Sequence, residues 1–157
     1  VDPQRLLAQL LCQYEGMPGG LLPLLQAIQE DFGFIPRESV PAIAQVMNLS
    51  AAEVHGVISF YHDLRTEEAG RHTLQICCAE SCQAAGGRAL EARAQEVLGI
   101  GFGETTGDGA VTLEAVYCLG NCACSPSLRI GNNTWARVDT ALLDSLIAQL
   151  RSAEVLS

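Results

Sequence analysis

A chain of 157 residues, 48% hydrophobic and 17% charged, has the length of one ordinary domain or of a compact domain with a helical extension, and it can bury a real core. Eighteen carboxylates oppose nine basic residues, all of them arginine, for a net charge of −9; a nucleic-acid binder needs cations to displace counterions, so that class is excluded. No apolar run approaches the ~20 residues of a membrane span, and the start, Val1-Asp2-Pro3-Gln4-Arg5, lacks the basic and apolar regions of a signal peptide, so a cytoplasmic chain without membrane contact is expected.

Residues 1–70 read as a helical domain. Leu6, Leu7, Leu10 and Leu11 recur at helical spacing before the breaker cluster Gly16-Met17-Pro18-Gly19-Gly20. A second helix, about Leu22 to Phe32, stops at Gly33. A third follows Ser39 with Pro41 in its first turn, and Ser50-Ala51-Ala52-Glu53 is a capping box that opens a fourth, running to about Tyr61. Val40 to Tyr61 has the outline of a helix-turn-helix. Its second helix holds no Arg or Lys, however, and residues 1–70 carry three arginines against nine carboxylates, so phosphate would be repelled.

The pattern changes in residues 71–157. His72 to Cys77 alternates as a strand, Gly87 to Leu98 is rich in helix formers, and Ala110 to Tyr117 reads as a second strand. Between them lies the glycine-rich loop Gly99 to Gly109. It follows a helix and leads into a strand, the reverse of a dinucleotide fingerprint, so no NAD or flavin site is assigned to this chain. Leu128-Arg129-Ile130 and Trp135-Ala136-Arg137-Val138 flank Gly131-Asn132-Asn133 as a hairpin, with Trp135 in its core, and Asp139 or Thr140 caps a last helix to about Leu150.

Seven cysteines, an odd number in a chain with no export signal, fit poorly with a disulfide framework. Six fall in two tight clusters. Cys77 and Cys82 have four residues between them, Cys118 and Cys122 have three, and each pair lies just past the end of an expected strand. If those strands are neighbours in one sheet, four thiolates meet at one edge. Four thiolates suit a tetrahedral zinc or the two irons of a [2Fe–2S] cluster, with two cysteines for each iron. Inert buried thiols, structural zinc and a redox dithiol are the competing readings. Zinc sites more often use two-residue spacers and thioredoxin-type dithiols use C-x-x-C, so the cluster is favoured. Ala79, Ser81 and Gly120 are small enough to let backbone N–H groups approach sulfur. Cys78 should point away from Cys77 as a bystander, Cys124 is a second bystander, and Cys12 is expected in the helical core. His55, His62 and His72 are expected in surface or packing roles, since four cysteines already complete a ligand set.

The order C-x4-C, a gap of thirty-five residues, then C-x3-C resembles the thioredoxin-like [2Fe–2S] subunit family of NADH:quinone oxidoreductase and its relatives. The resemblance spans nearly the whole chain and includes Gly33-Phe34-Ile35-Pro36, Val54-His55-Gly56-Val57-Ile58-Ser59-Phe60-Tyr61, Thr105-Thr106-Gly107-Asp108-Gly109 and Cys118-Leu119-Gly120-Asn121-Cys122. It implies an α/β fold, a thioredoxin-like [2Fe–2S] ferredoxin domain preceded by an N-terminal helical bundle, with Cys77, Cys82, Cys118 and Cys122 as cluster ligands. Within the family, Cys77-Cys78-Ala79-Glu80-Ser81-Cys82-Gln83, Tyr61-His62 and Asn121-Cys122-Ala123-Cys124-Ser125-Pro126 look like the γ subunit of soluble, molybdenum-dependent, NAD-linked formate dehydrogenases. That likeness implies two partners: a β subunit with FMN and the NAD site, and an α subunit with the molybdenum cofactor. The chain itself would be a non-catalytic electron carrier, inactive alone. The alternative is the equivalent subunit of an NAD-reducing hydrogenase or of NADH:quinone oxidoreductase.

Overall fold

The computed structural model of the chain describes residues 2–152. It divides into two compact units, Val1–Glu68 and Ala69–Ser157. The first contains four helices. Helix α1 (Pro3–Tyr14) starts where Asp2 accepts a hydrogen bond from the Gln4 N–H at 3.1 Å and Pro3 presets the first turn. Helix α2 (Leu21–Phe32) ends on left-handed Gly33, whose N–H reaches the Gln29 carbonyl. Helix α3 (Val40–Met47) ends on left-handed Asn48, and α4 (Ala51–Phe60) begins with the expected capping box: Glu53 accepts from the Ser50 N–H at 2.7 Å, and Ser50 Oγ accepts from the Glu53 N–H. Leu10, Leu24, Leu25, Ile28, Ile35, Ile43 and Val54 are among the side chains that fill this unit's core.

Cys12 is exposed, contrary to the expectation of a core position. The buried stripe of α1 is built on Leu10, with Leu7, Leu11 and Tyr14 packed beside it. Two residues beyond Leu10, Cys12 has rotated about 200° around the helix, onto the solvent side.

The second unit is a four-stranded sheet in the order β2-β1-β3-β4. Strands β1 (His72–Cys77) and β2 (Val111–Val116) run parallel with Cys77 opposite Val116, and β3 (Leu128–Ile130) is antiparallel to β1. Alternation puts Leu74 and Ile76 on one face, in a core shared with Leu90, Leu113, Leu128, Leu143 and Ile147. The core-side helices are α6 (Gly87–Leu98) and α7 (Thr140–Arg151), tied by a forked Arg93–Asp144 ion pair of 2.8–2.9 Å. The opposite face carries a polar row, with Gln75 hydrogen-bonded to Glu114 at 2.8 Å on one side and to Arg129 at 2.6 Å on the other.

The hairpin is shorter than expected. Asn133 is already paired with Ile130, so the turn is Gly131-Asn132 alone, and β4 (Asn133–Trp135) stops before Ala136-Arg137-Val138. The chain leaves the sheet because Arg137 has φ +49° and its N–H, like that of Val138, is taken by the carbonyls of Cys124 and Pro126. Trp135 is half-buried against the sheet core, as expected. A five-residue helix that the periodicity did not predict, α5 (Glu80–Ala84), fills the connection between β1 and α6. Among the described residues no helix is long and apolar enough to cross a membrane.

Candidate metal centre

The parallel pairing of β1 and β2 brings the two cysteine pairs to one end of the sheet. Cys77 is the last residue of β1 and not beyond it, and Cys82 lies in α5; both are buried. Cys118 follows β2 by two residues, and Cys122 opens a short 3-10 turn, Cys122–Cys124; both are exposed. The sulfurs of Cys118 and Cys122 are 3.6 Å apart. Two thiolates on one tetrahedral metal with bonds of ~2.3 Å sit ~3.8 Å apart, so this pair is nearly at ligation distance without rearrangement. Cys82 acts electrostatically on both Cys77 and Cys122, which links the buried pair to the exposed one.

Backbone donors converge on the sulfurs. The Gly120 N–H donates to Cys118 Sγ at 3.3 Å, and the backbone of Ala79 and Leu119 favours the charged form of Cys77. These donors act oppositely to burial. Desolvation pushes the Cys77 thiol up despite its two N–H partners, while at exposed Cys118 the Gly120 N–H and the Cys122 thiol hold the thiol below its ordinary value. The hydrogen bond with the Cys118 thiol, then its charge, push Cys122 up, with burial and the Cys82 charge adding to them.

The loops are stitched by hydroxyls. Ser81 Oγ donates to the Cys122 carbonyl at 3.1 Å and meets Ser125 Oγ at 2.9 Å; Ser125 Oγ also donates to the Cys122 carbonyl at 2.9 Å and lies 3.5 Å from Cys82 Sγ. Cys118 itself is held at φ +134°, a strained backbone for any residue with a side chain. Ser125, the Leu119 N–H and Gly87, which packs on the Cys82 carbonyl, were not singled out by sequence pattern.

Cys78, the residue after β1, is partly buried. It donates to the Ile76 carbonyl at 3.5 Å and lies by Glu91 of α6; burial and that carboxylate push its thiol up to about 12. Cys124 is half-buried, and its carbonyl accepts from Arg137. Among the described residues, no three His, Cys, Asp or Glu side chains converge on a single point that could hold one ion. Two pairs of thiols at one end of the sheet would suit a binuclear centre, with two thiolates to each iron.

The model of the family described as thioredoxin-like [2Fe-2S] ferredoxin matches residues 7–151. The chain belongs to this family. The thioredoxin-like [2Fe–2S] ferredoxins bind a [2Fe–2S] cluster, and the two thiol pairs fit that cofactor. Among curated relatives, an NADH-quinone oxidoreductase subunit of Rhizobium meliloti is 35% identical over 142 residues, 90% of this chain and 84% of its own length. NADH-quinone oxidoreductase subunit 2 of Thermus thermophilus is 35% identical over 98% of this chain and 86% of its own. Among solved structures, an NAD+-reducing [NiFe]-hydrogenase in the H2-reduced state superposes with a TM-score of 0.71 at 24% identity, over 85% of this chain and 22% of the hydrogenase chain, a likeness of fold.

Proposed function

We propose that Cys77, Cys82, Cys118 and Cys122 ligate one [2Fe–2S] cluster and that the chain is an electron-transfer subunit of a larger NAD-linked oxidoreductase, specifically a formate dehydrogenase. The observation that carries the ligand assignment is the meeting of the two cysteine pairs at one sheet end, with the outer pair 3.6 Å apart. When bound, the cluster supplies one-electron transfer. The chain's own residues hold it: buried Cys77 and Cys82 keep water from one side, and exposed Cys118 and Cys122 leave the other side open to a partner. The N–H groups of Gly120, Leu119 and Ala79 stabilise negative charge on sulfur.

Relatives named as subunits of NADH-quinone oxidoreductase, matched over nearly their whole length, support a role inside a complex with a flavin-bearing partner. The formate reading rests on Cys78-Ala79-Glu80-Ser81 between the first ligands and on Asn121-Cys122-Ala123-Cys124-Ser125-Pro126. The partners are then a β subunit with FMN and the NAD site and an α subunit with the molybdenum cofactor, all in the cytoplasm. A subunit of NADH:quinone oxidoreductase is the second reading, favoured by the 35% identity to that class.

Anaerobic purification should yield a red-brown chain with about two irons and two sulfides, and one S = ½ EPR signal after reduction. A colourless protein with one zinc overturns the cluster. Coexpression with the genomic neighbours should give a complex that reduces NAD with formate. Activity with hydrogen, or with NADH and quinone only, moves the chain to one of the other branches.

A further inference from the structure

The N-terminal unit is acidic, with three arginines against nine carboxylates, yet it holds a cavity of about 590 Å³ that, among the described residues, no Asp or Glu lines. Arg37 and Arg65, two of those three arginines, line it together with His55, His62, Ser59 and Tyr61. This clustering runs against the charge of the unit around it.

The walls are held in place. The Ile35 N–H donates to the Arg65 carbonyl at 2.8 Å, and the Arg65 N–H donates to Gln29 Oε1 at 2.7 Å, so the backbone that presents Arg65 is pinned on both sides. Nδ1 of His62 is 3.1 Å from the Phe60 carbonyl, which orients its ring. Arg37 extends from the turn Arg37–Ser39 and is engaged at 3.1 Å by Glu67, in a pair more than two-thirds exposed. Such a pair contributes little and yields readily to a better anion. Gly56, also in the wall, lies in the interior of α4, where glycine costs about 1 kcal/mol relative to alanine. A Cβ built there would meet nothing within 4 Å, so packing within the chain does not call for glycine.

We propose that this cavity is an anion site that receives a phosphoryl group. Two guanidinium forks, two imidazoles and the Tyr61 hydroxyl match an anion with three equivalent acceptor oxygens, while the Ser59 hydroxyl donates to the Gly56 carbonyl at 3.1 Å. The volume falls within the range of small-ligand sites and exceeds what a lone carboxylate fills. The phosphoryl group is either free inorganic phosphate or the phosphate of a nucleotide. For a nucleotide, Tyr61 in the wall, held edge-to-face against Phe60 with centroids 5.1 Å apart, offers an aromatic surface beside the charges. The site is independent of the cysteine centre, and its test does not depend on the cluster.

The test is calorimetric titration of the full chain with inorganic phosphate, adenosine monophosphate and glutarate at low ionic strength, where exposed charges are least screened. Phosphate should bind saturably at one site. Arg37→Gln and Arg65→Gln should each weaken it about tenfold, with Arg65→Lys recovering part of the loss. Glu67→Gln should tighten binding by releasing Arg37, and Arg5→Gln, on α1 outside the cavity, should leave it unchanged. Tighter binding of the nucleotide, lost in Tyr61→Ala while phosphate binding survives, identifies a nucleotide site; equal affinity identifies free phosphate. The proposal is overturned by the absence of saturable binding, by an equal loss in Arg5→Gln, or by glutarate binding as tightly as phosphate.

Discussion

Cys118 and Cys122 are both exposed and 3.6 Å apart, yet their thiols shift in opposite directions. Gly120, left-handed at φ +75°, donates its N–H to Cys118 and together with the Cys122 thiol holds Cys118 down, whereas the hydrogen bond with Cys118 and then its charge push Cys122 up. The thiolate, not the thiol, reacts with alkylating agents and metals. In the cluster-free chain near neutral pH, iodoacetamide should therefore label Cys118 ahead of Cys122, and both well ahead of Cys78, whose thiol is pushed up to about 12. Peptide mass spectrometry over a time course reads the order; Cys122 labelling before Cys118 would contradict the hydrogen bond. The same residues separate ligands from bystanders. Alanine at Cys77, Cys82, Cys118 or Cys122 should remove most of the iron, because an iron is left with an open position. Serine at Cys78 or Cys124 should retain it. Iron lost from Cys78→Ser but kept in Cys77→Ala would shift the first ligand by one residue.

At the scale of elements, the site depends on how α5 and α6 are joined. A Cβ on Gly87, the first residue of α6, would lie 2.7 Å from the Cys82 carbonyl oxygen and 2.9 Å from its carbon. Both are backbone atoms, so no side chain can rotate aside and α5 itself must move. Gly87→Ala should cost ~1–3 kcal/mol of stability, as overpacking does, and lower the iron content of the purified chain. Gly101→Ala is the matched control: its Cβ would meet only the Glu104 carboxylate, at 3.4 Å, and should leave iron content unchanged. Iron and thermal melts on the two variants decide it. This close approach is invisible in sequence, where Gly86-Gly87 reads merely as a helix start. What periodicity and capping chemistry dictate locally was legible: β1 as His72–Cys77, α6 as Gly87–Leu98 and the Ser50–Glu53 box match their expected places. The convergence of the cysteine pairs was legible too, because both sit at strand ends and the structure makes those strands parallel neighbours. The misses arise where distant backbone wins over local pattern. The residues after Trp135 alternate like a strand, but their N–H groups are claimed by the loop at Cys124 and Pro126. Helix α5 is too short for a period to register.

For the whole molecule, each unit buries its own apolar cluster, so the large side chains left outside need a separate account. Tyr117 is 75% exposed and Phe60 73%, values far above those of the aliphatic core. Scattered exposed aromatics are ordinary, but Tyr117 directly precedes Cys118 at the open side of the candidate centre. An electron carrier works only when a docking interface holds its cofactor close to the next centre, and aromatic side chains at the middle of an interface contribute a disproportionate share of affinity. Under the proposed function, Tyr117 is such a contact. Tyr117→Arg should leave iron content and the EPR signal of the isolated chain unchanged, because a side chain this exposed packs little against the fold that holds the cysteine loops. Affinity for the flavin-bearing partner should fall at least tenfold, and electron transfer through the assembled complex should slow in step with lost occupancy. Deleting residues 1–66 should likewise weaken assembly while sparing the cluster, since all four cysteines and the sheet core lie beyond Glu68. Pull-down of the partner, with iron and EPR measured on the same preparations, separates the two contributions. If Tyr117→Arg assembles with unaltered affinity, the partner approaches by another face, and the exposure of Tyr117 carries no functional meaning.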